Sequence, residues 1–247
     1  MFIRKIQMHI LVFSLLFSCI SGGVLAQKGL TIRFEHTVGR EKLSLDSGLY
    51  KNDLEQMYSV TKFKYYIGHF QLKKADGKSF DSDELFLVNE EDEGSKQVIL
   101  RDIPPGDYTS IQFTLGVDSI LNCSGLQSGS LDPVNGMFWA WNTGYIFMKL
   151  EGKSSASRSP GTIYEFHVGG YKAPANCIRK VMLPFDRTGQ QKSMEVRSEI
   201  VLKADVMEMF RTPFTIDLSQ LSTVTDFRNA EKMADNYSDM FSILEVH

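Results

Sequence analysis

The chain of 247 residues carries 27 basic and 30 acidic residues, a formal net charge of -3, and 43% hydrophobic and 11% aromatic side chains. Such mild acidity excludes a nucleic-acid partner held by a basic surface. No apolar run reaches the roughly 20 residues of a membrane-spanning helix, and the apolar content is ample for a sizeable core.

Residues 1–26 read as a signal peptide. Arg4 and Lys5 give a basic start, Ile10 to Ile20 form a short apolar run, and Val24-Leu25-Ala26 offers a small-residue cleavage site before Gln27. Its removal takes away two positive charges and no acid, moving the net charge from -3 to -5. The expected location is therefore the periplasm or outer envelope. Cys19, in Leu16-Phe17-Ser18-Cys19, raises lipid anchoring as an alternative, and bulky Phe17 disfavours it. Membrane contact is expected only through such an anchor. Residues 27–247 read as one domain, without an internal repeat or a break in composition.

Leu30 to Val38 alternates, with Ile32, Phe34, His36 and Val38 on one face, which predicts a half-buried strand. Tyr58 to Lys74 predicts a long strand ending in the turn Ala75-Asp76-Gly77-Lys78. Leu85 to Asn89 and Gln97 to Arg101 flank an acidic loop, and Tyr108 to Val117 follows the turn Pro104-Pro105-Gly106-Asp107. After a polar loop from Asp118 to Asn135 comes LDPVNGMFWAWNTGYIFMKLEG, which holds both tryptophans, Trp139 and Trp141. If extended, this segment places the two indoles on one face. Strands are expected again at Thr162 to Val168, Ile178 to Phe185 and Met194 to Ala204. At Ala230, Met233, Ala234, Tyr237, Met240 and Phe241 the period becomes helical. The expected fold is all-β: a single antiparallel β-sandwich domain with a C-terminal amphipathic helix.

The motifs of common hydrolases, transferases and nucleotide-binding enzymes are absent, so no catalytic residue is assigned and a non-enzymatic protein is expected. Asp118, Asp132, Glu151 and Glu165 could supply a carboxylate pair, yet their spacing singles none of them out from solvated acids. Inward His36 fits a core histidine before a ligand. His167 shares a strand face with Glu165, an arrangement common around metals and on plain surfaces alike. His69 fits a structural residue, and His247 a free or capping one. Met207 and Met209 carry thioethers suited to Cu(I), and equally suit a strand end or short helix. Cys123 and Cys177 are expected to form a disulfide in an oxidising compartment, ahead of acting as thiolate ligands.

The segments GMFWAWNTGYIFMKLEG (Gly136 to Gly152) and FHVGG (Phe166 to Gly170) resemble the MbnP-like copper-binding proteins. So do FEHTVGREKLSLD, VTKFKYYIGHFQL, IPPGDYTSIQFTLGVD and the ending ADNYSDMFSILEVH, which together span nearly all of the mature chain. Within that family the likeness is to the branch of Bacteroidetes-type bacteria. The resemblance implies an exported β-sandwich that binds copper, as Cu(I), through histidine and a tryptophan oxidised to kynurenine, and acts in copper acquisition or storage. It implies a di-haem enzyme of the cytochrome c peroxidase type as maturation partner. By position in the motifs, Trp139 or Trp141 would be the modified residue, and His36 and His167 the imidazole ligands. The competing expectation is a metal-free envelope module that presents its aromatic residues to a glycan or protein.

Overall fold

The computed structural model describes residues 29–104, 106–139, 144–186, 194–196, 198–225 and 229–247. The expected signal peptide and Trp141 lie outside the described residues. Strand β1 (Leu30–Val38) buries every second residue, as its period of two requires, and Leu30, Ile32, Phe34, His36 and Val38 form its inner row. The long strand β2 (Met57–Lys73) is followed by β3 (Ser79–Asn89), β4 (Gln97–Leu100) and β5 (Ser110–Leu115). A short helix α1 (Ser119–Cys123) comes next, capped by the Asp118 carboxylate accepting from the Leu121 amide. Strands β6 (Met148–Ser154), β7 (Ile163–Val168), β8 (Arg179–Pro184) and β9 (Glu199–Asp205) lead to helix α2 (Ala230–Ser238) and a last strand, β10 (Phe241–Val246).

These strands form two facing sheets. In one, β10, β9 and β1 lie side by side, with β4 and Glu41–Lys42 completing the far side of β1. In the other the order is β8, β5, β2, β6, β7 and Thr223–Val224, with β3 and Tyr50–Lys51 also paired to β2. Aromatic side chains join the sheets: the Phe34 and Tyr65 rings meet edge to face at 6.0 Å, and His36 meets Phe63 at 4.9 Å. The all-β sandwich is as expected, although not every pair is antiparallel: β1 runs parallel to β9, and β7 to Thr223–Val224.

Two local expectations are corrected. The C-terminal helix is present, burying Met233, Ala234 and Tyr237 against β7 and β8, but it stops at Ser238 rather than continuing to Phe241. Met240 and Phe241 match the helical spacing by coincidence. Phe241 and Ile243 instead alternate along β10, whose backbone supplies the ladder partner that β9 would otherwise lack. The expected disulfide does not form. Cys123 lies exposed on α1 beside the Tyr171 hydroxyl, whereas Cys177 is fully buried under α2, where Tyr237 donates to its carbonyl. Each is a free thiol in its own setting. Among the described residues no helix is long and apolar enough to cross a membrane.

Candidate metal centre

Strands β2, β6 and β7 are neighbours, and their register arranges their outward side chains in two rows. Lys62, Glu151 and Glu165 stand across from one another in the first row, and Lys64, Lys149 and His167 in the second. These residues face away from the core because the alternate positions, Phe63, Leu150 and Phe166, are completely buried. His167 Nε2 reaches diagonally to Glu151 Oε1 at 2.8 Å, and Lys62 Nζ stands 3.3 Å from Glu151 Oε2. One ligating atom from each of Glu151, Glu165 and His167 falls within 4.8 Å of the other two. All three side chains are half-buried, on strands whose backbones are fixed by ladders on both sides.

Two carboxylates face three lysines in these rows, and Glu151 stays anionic among them. The hydrogen bond with His167, aided by Lys62, outweighs burial and holds the Glu151 carboxyl down to about 2. Glu151 is thus an anion throughout the physiological range. Burial lowers the Lys149 pKa, and its ammonium donates to the Gly136 carbonyl, tying the segment that leads into Trp139 to this face of the sheet. One imidazole with two carboxylates is a donor set for first-row divalent ions. The residues therefore fit a metal at this place, with Lys62 supplying the balancing charge when none is bound.

The four residues implied by the resemblance are distributed unevenly. His167 belongs to the cluster just described. Trp139 is 7% exposed in a two-stranded ribbon where Phe138–Trp139 pairs with Gly144–Tyr145. Its ring fills the space above Gly169, two residues beyond His167, where a Cβ would come within 2.9 Å of the indole. Another side of Trp139 helps line a cavity of about 240 Å³ with Asn122, Tyr145 and Tyr171. Trp141 is outside the described residues. His36 lies in the core between the sheets, across β2 from the outward face, with Nδ1 2.6 Å from Glu90 Oε2 and Nε2 2.9 Å from the Tyr65 hydroxyl. The structure thus brings His167 and Trp139 into one neighbourhood and does not bring His36 to it. Both ring nitrogens of His36 are already engaged, so ligation through either would break one of these hydrogen bonds.

In the sequence, alternation pairs His167 with Glu165, and Glu151 stands among the acids that spacing does not single out. The available signal was the alternation of Lys149-Leu150-Glu151, which puts Glu151 outward. Only the cross-strand register, absent from the sequence, places it opposite Glu165. His69 occupies a bulge in β2 with φ +48°, and its ring lies between Asp118, at 3.3 Å, and Asp83, at 3.5 Å. Met207 and Met209 fall in a 3-10 turn, Val206–Phe210, with Met209 buried as core.

The MbnP family model matches residues 27–230. Among solved structures, MbnP from Methylosinus trichosporium is similar in fold, with a TM-score of 0.54 and 16% identity, covering 78% of this chain and 79% of that one. No curated protein sequence matches. The chain belongs to the MbnP family, which is associated with copper binding.

Proposed function

We propose that this chain is an exported, non-enzymatic protein that binds copper at Glu151, Glu165 and His167 and serves in copper acquisition or storage. The observation that carries this reading is the convergence of the three ligating side chains within 4.8 Å in a member of a copper-associated family. Copper would contribute a ligand-dependent gain in stability, because an ion that binds only the folded chain adds RT ln(1 + [L]/Kd). His167 would supply the borderline nitrogen ligand, and the two carboxylates would balance the charge of the ion. Carboxylates are hard donors, so this set favours Cu(II) over the Cu(I) implied by the resemblance. A tryptophan oxidised to kynurenine would add an amine and a carbonyl. Trp139, packed over Gly169 and bordering a cavity of about 240 Å³, is the described candidate, and a di-haem peroxidase-like enzyme is the proposed oxidising partner.

The aromatic-platform alternative needs an exposed indole. Trp139, at 7% exposure, does not offer one. Native and acid-denatured mass spectrometry on protein from its own host tests the proposal. Copper lost on acidification, with a Trp139 peptide at the kynurenine mass, supports metal binding and maturation together. Copper with unmodified tryptophan moves the ligand burden to histidine, carboxylate and methionine side chains. Protein from copper-replete cells that carries neither would sink the reading.

A further inference from the structure

A second chemical centre lies on the inner side of β2, where Glu90, His36 and Tyr65 form a buried chain of hydrogen bonds. The direction of each bond follows from charge. Contacts with His36 and Lys96 hold the Glu90 carboxyl below its ordinary range despite burial, so it can only accept, and His36 Nδ1–H must donate to it at 2.6 Å. Burial in turn lowers the His36 pKa, which keeps Nε2 as a free lone pair at neutral pH. The Tyr65 hydroxyl, completely buried, therefore donates to Nε2 at 2.9 Å. This is unlike the other eight tyrosines. Tyr66, Tyr108, Tyr145, Tyr164 and Tyr237 donate to backbone carbonyls, and the hydroxyls of the remaining three lie against carbonyls or sulfur. Among the described residues Tyr65 alone hands its proton to a base.

A phenol that loses an electron becomes a very strong acid, so a buried tyrosine can be oxidised readily only if a base already holds its proton. We propose that Tyr65 is a redox-active tyrosine, yielding one electron to a high-potential haem-iron or other metal-complex oxidant at the surface while its proton moves to His36 Nε2. The Tyr65 O–H bond breaks and an N–H bond forms on His36. The electron reduces the oxidant, and a neutral tyrosyl radical remains beside an imidazolium paired with the Glu90 carboxylate. Re-reduction returns the proton along the same bond. A cavity of about 390 Å³ lined by His36, Glu90 and Lys96 connects the relay to the outside, while the radical oxygen stays enclosed. Lys96, 3.2 Å from Glu90, keeps that carboxylate charged and in place. The surrounding rings, Phe34, Phe63 and Phe241, are all within 6.0 Å and offer no easily oxidised competitor.

The test is independent of copper and uses chelator-treated protein, with photogenerated ruthenium(III) tris-bipyridine as the oxidant and the tyrosyl radical read by optical and EPR spectroscopy. The expected result is a long-lived radical that forms more slowly in D2O, is lost in Tyr65→Phe, and is retained in Tyr171→Phe. His36→Gln keeps an amide able to accept from Tyr65 and donate to Glu90, yet removes the base. It should slow radical formation by about 100-fold or more, the scale of a positioned general base. If His36→Gln does not fold, the D2O effect and the Tyr65→Phe loss decide alone. A radical unchanged by Tyr65→Phe, or one confined to tryptophan or Tyr171, overturns the proposal.

Discussion

Replacing Glu151 by Gln removes the charge at the centre of the outer-face cluster while keeping the shape of the side chain. The native carboxyl is held at about 2 against an ordinary 4.5, by its hydrogen bond with His167 and by Lys62. A depressed carboxylate contributes stability that is complete above its unfolded pKa and is lost as pH falls from there through its folded pKa. At about 1.4 kcal/mol for each pH unit of displacement, the linkage is about 3 kcal/mol. The side chain retains 20% exposure, and solvent screening brings the expected contribution to about 1–2 kcal/mol. Urea unfolding of both proteins in chelator at pH 7, 5, 4 and 3 measures it. Wild type should exceed Glu151→Gln by about 1–2 kcal/mol at pH 7 and 5. The gap should shrink steadily between pH 4.5 and the lowest point reached. A gap of constant size from pH 7 to pH 3 would refute the electrostatic account of the cluster and leave only its packing.

Three further outcomes follow from the geometry. Because burial holds His36 neutral, the unfolded chain takes up its proton first, so stability should fall as pH drops below about 6.5, and His36→Gln should lack that component in pH-dependent melting. Gly169→Ala would push a methyl into the Trp139 indole and the Tyr145 carbonyl, costing about 1–3 kcal/mol in urea unfolding, with a shift in tryptophan emission; an unchanged midpoint would mean that Trp139 is packed elsewhere. In native protein a thiol reagent should label Cys123 at once and reach Cys177, whose pKa burial pushes to about 12, only on unfolding; a bridged peptide in a non-reducing digest would contradict two free thiols.

The fold was largely legible because its signals are local. Alternation in Leu30 to Val38 and in Thr162 to Val168, bounded by glycine- and proline-bearing turns, identifies half-buried strands without any tertiary knowledge. The inward side of His36 followed from the same count. What failed was non-local or coincidental. Glu151 and Glu165 are separated by 14 positions and meet only through the β6–β7 register. Compartment and number predict a cysteine pair, yet α1 holds one at the surface while α2 covers the other. At Met240 a helical spacing ran on by chance into a strand. The resemblance placed His36 and His167 on one ion from motif positions alone, and motif positions carry no information about which side of the β2-containing sheet each histidine lies on.

Copper titration of chelator-stripped protein, compared across wild type, His167→Ala and His36→Gln, decides on which side of the sheet the metal binds. Wild type and His36→Gln should bind copper alike. His167→Ala should lose at least the roughly 10–100-fold in affinity that removal of even a supporting group costs a metal site. Loss of copper by His36→Gln with full binding by His167→Ala would contradict it, moving the metal to the inner side of the sheet.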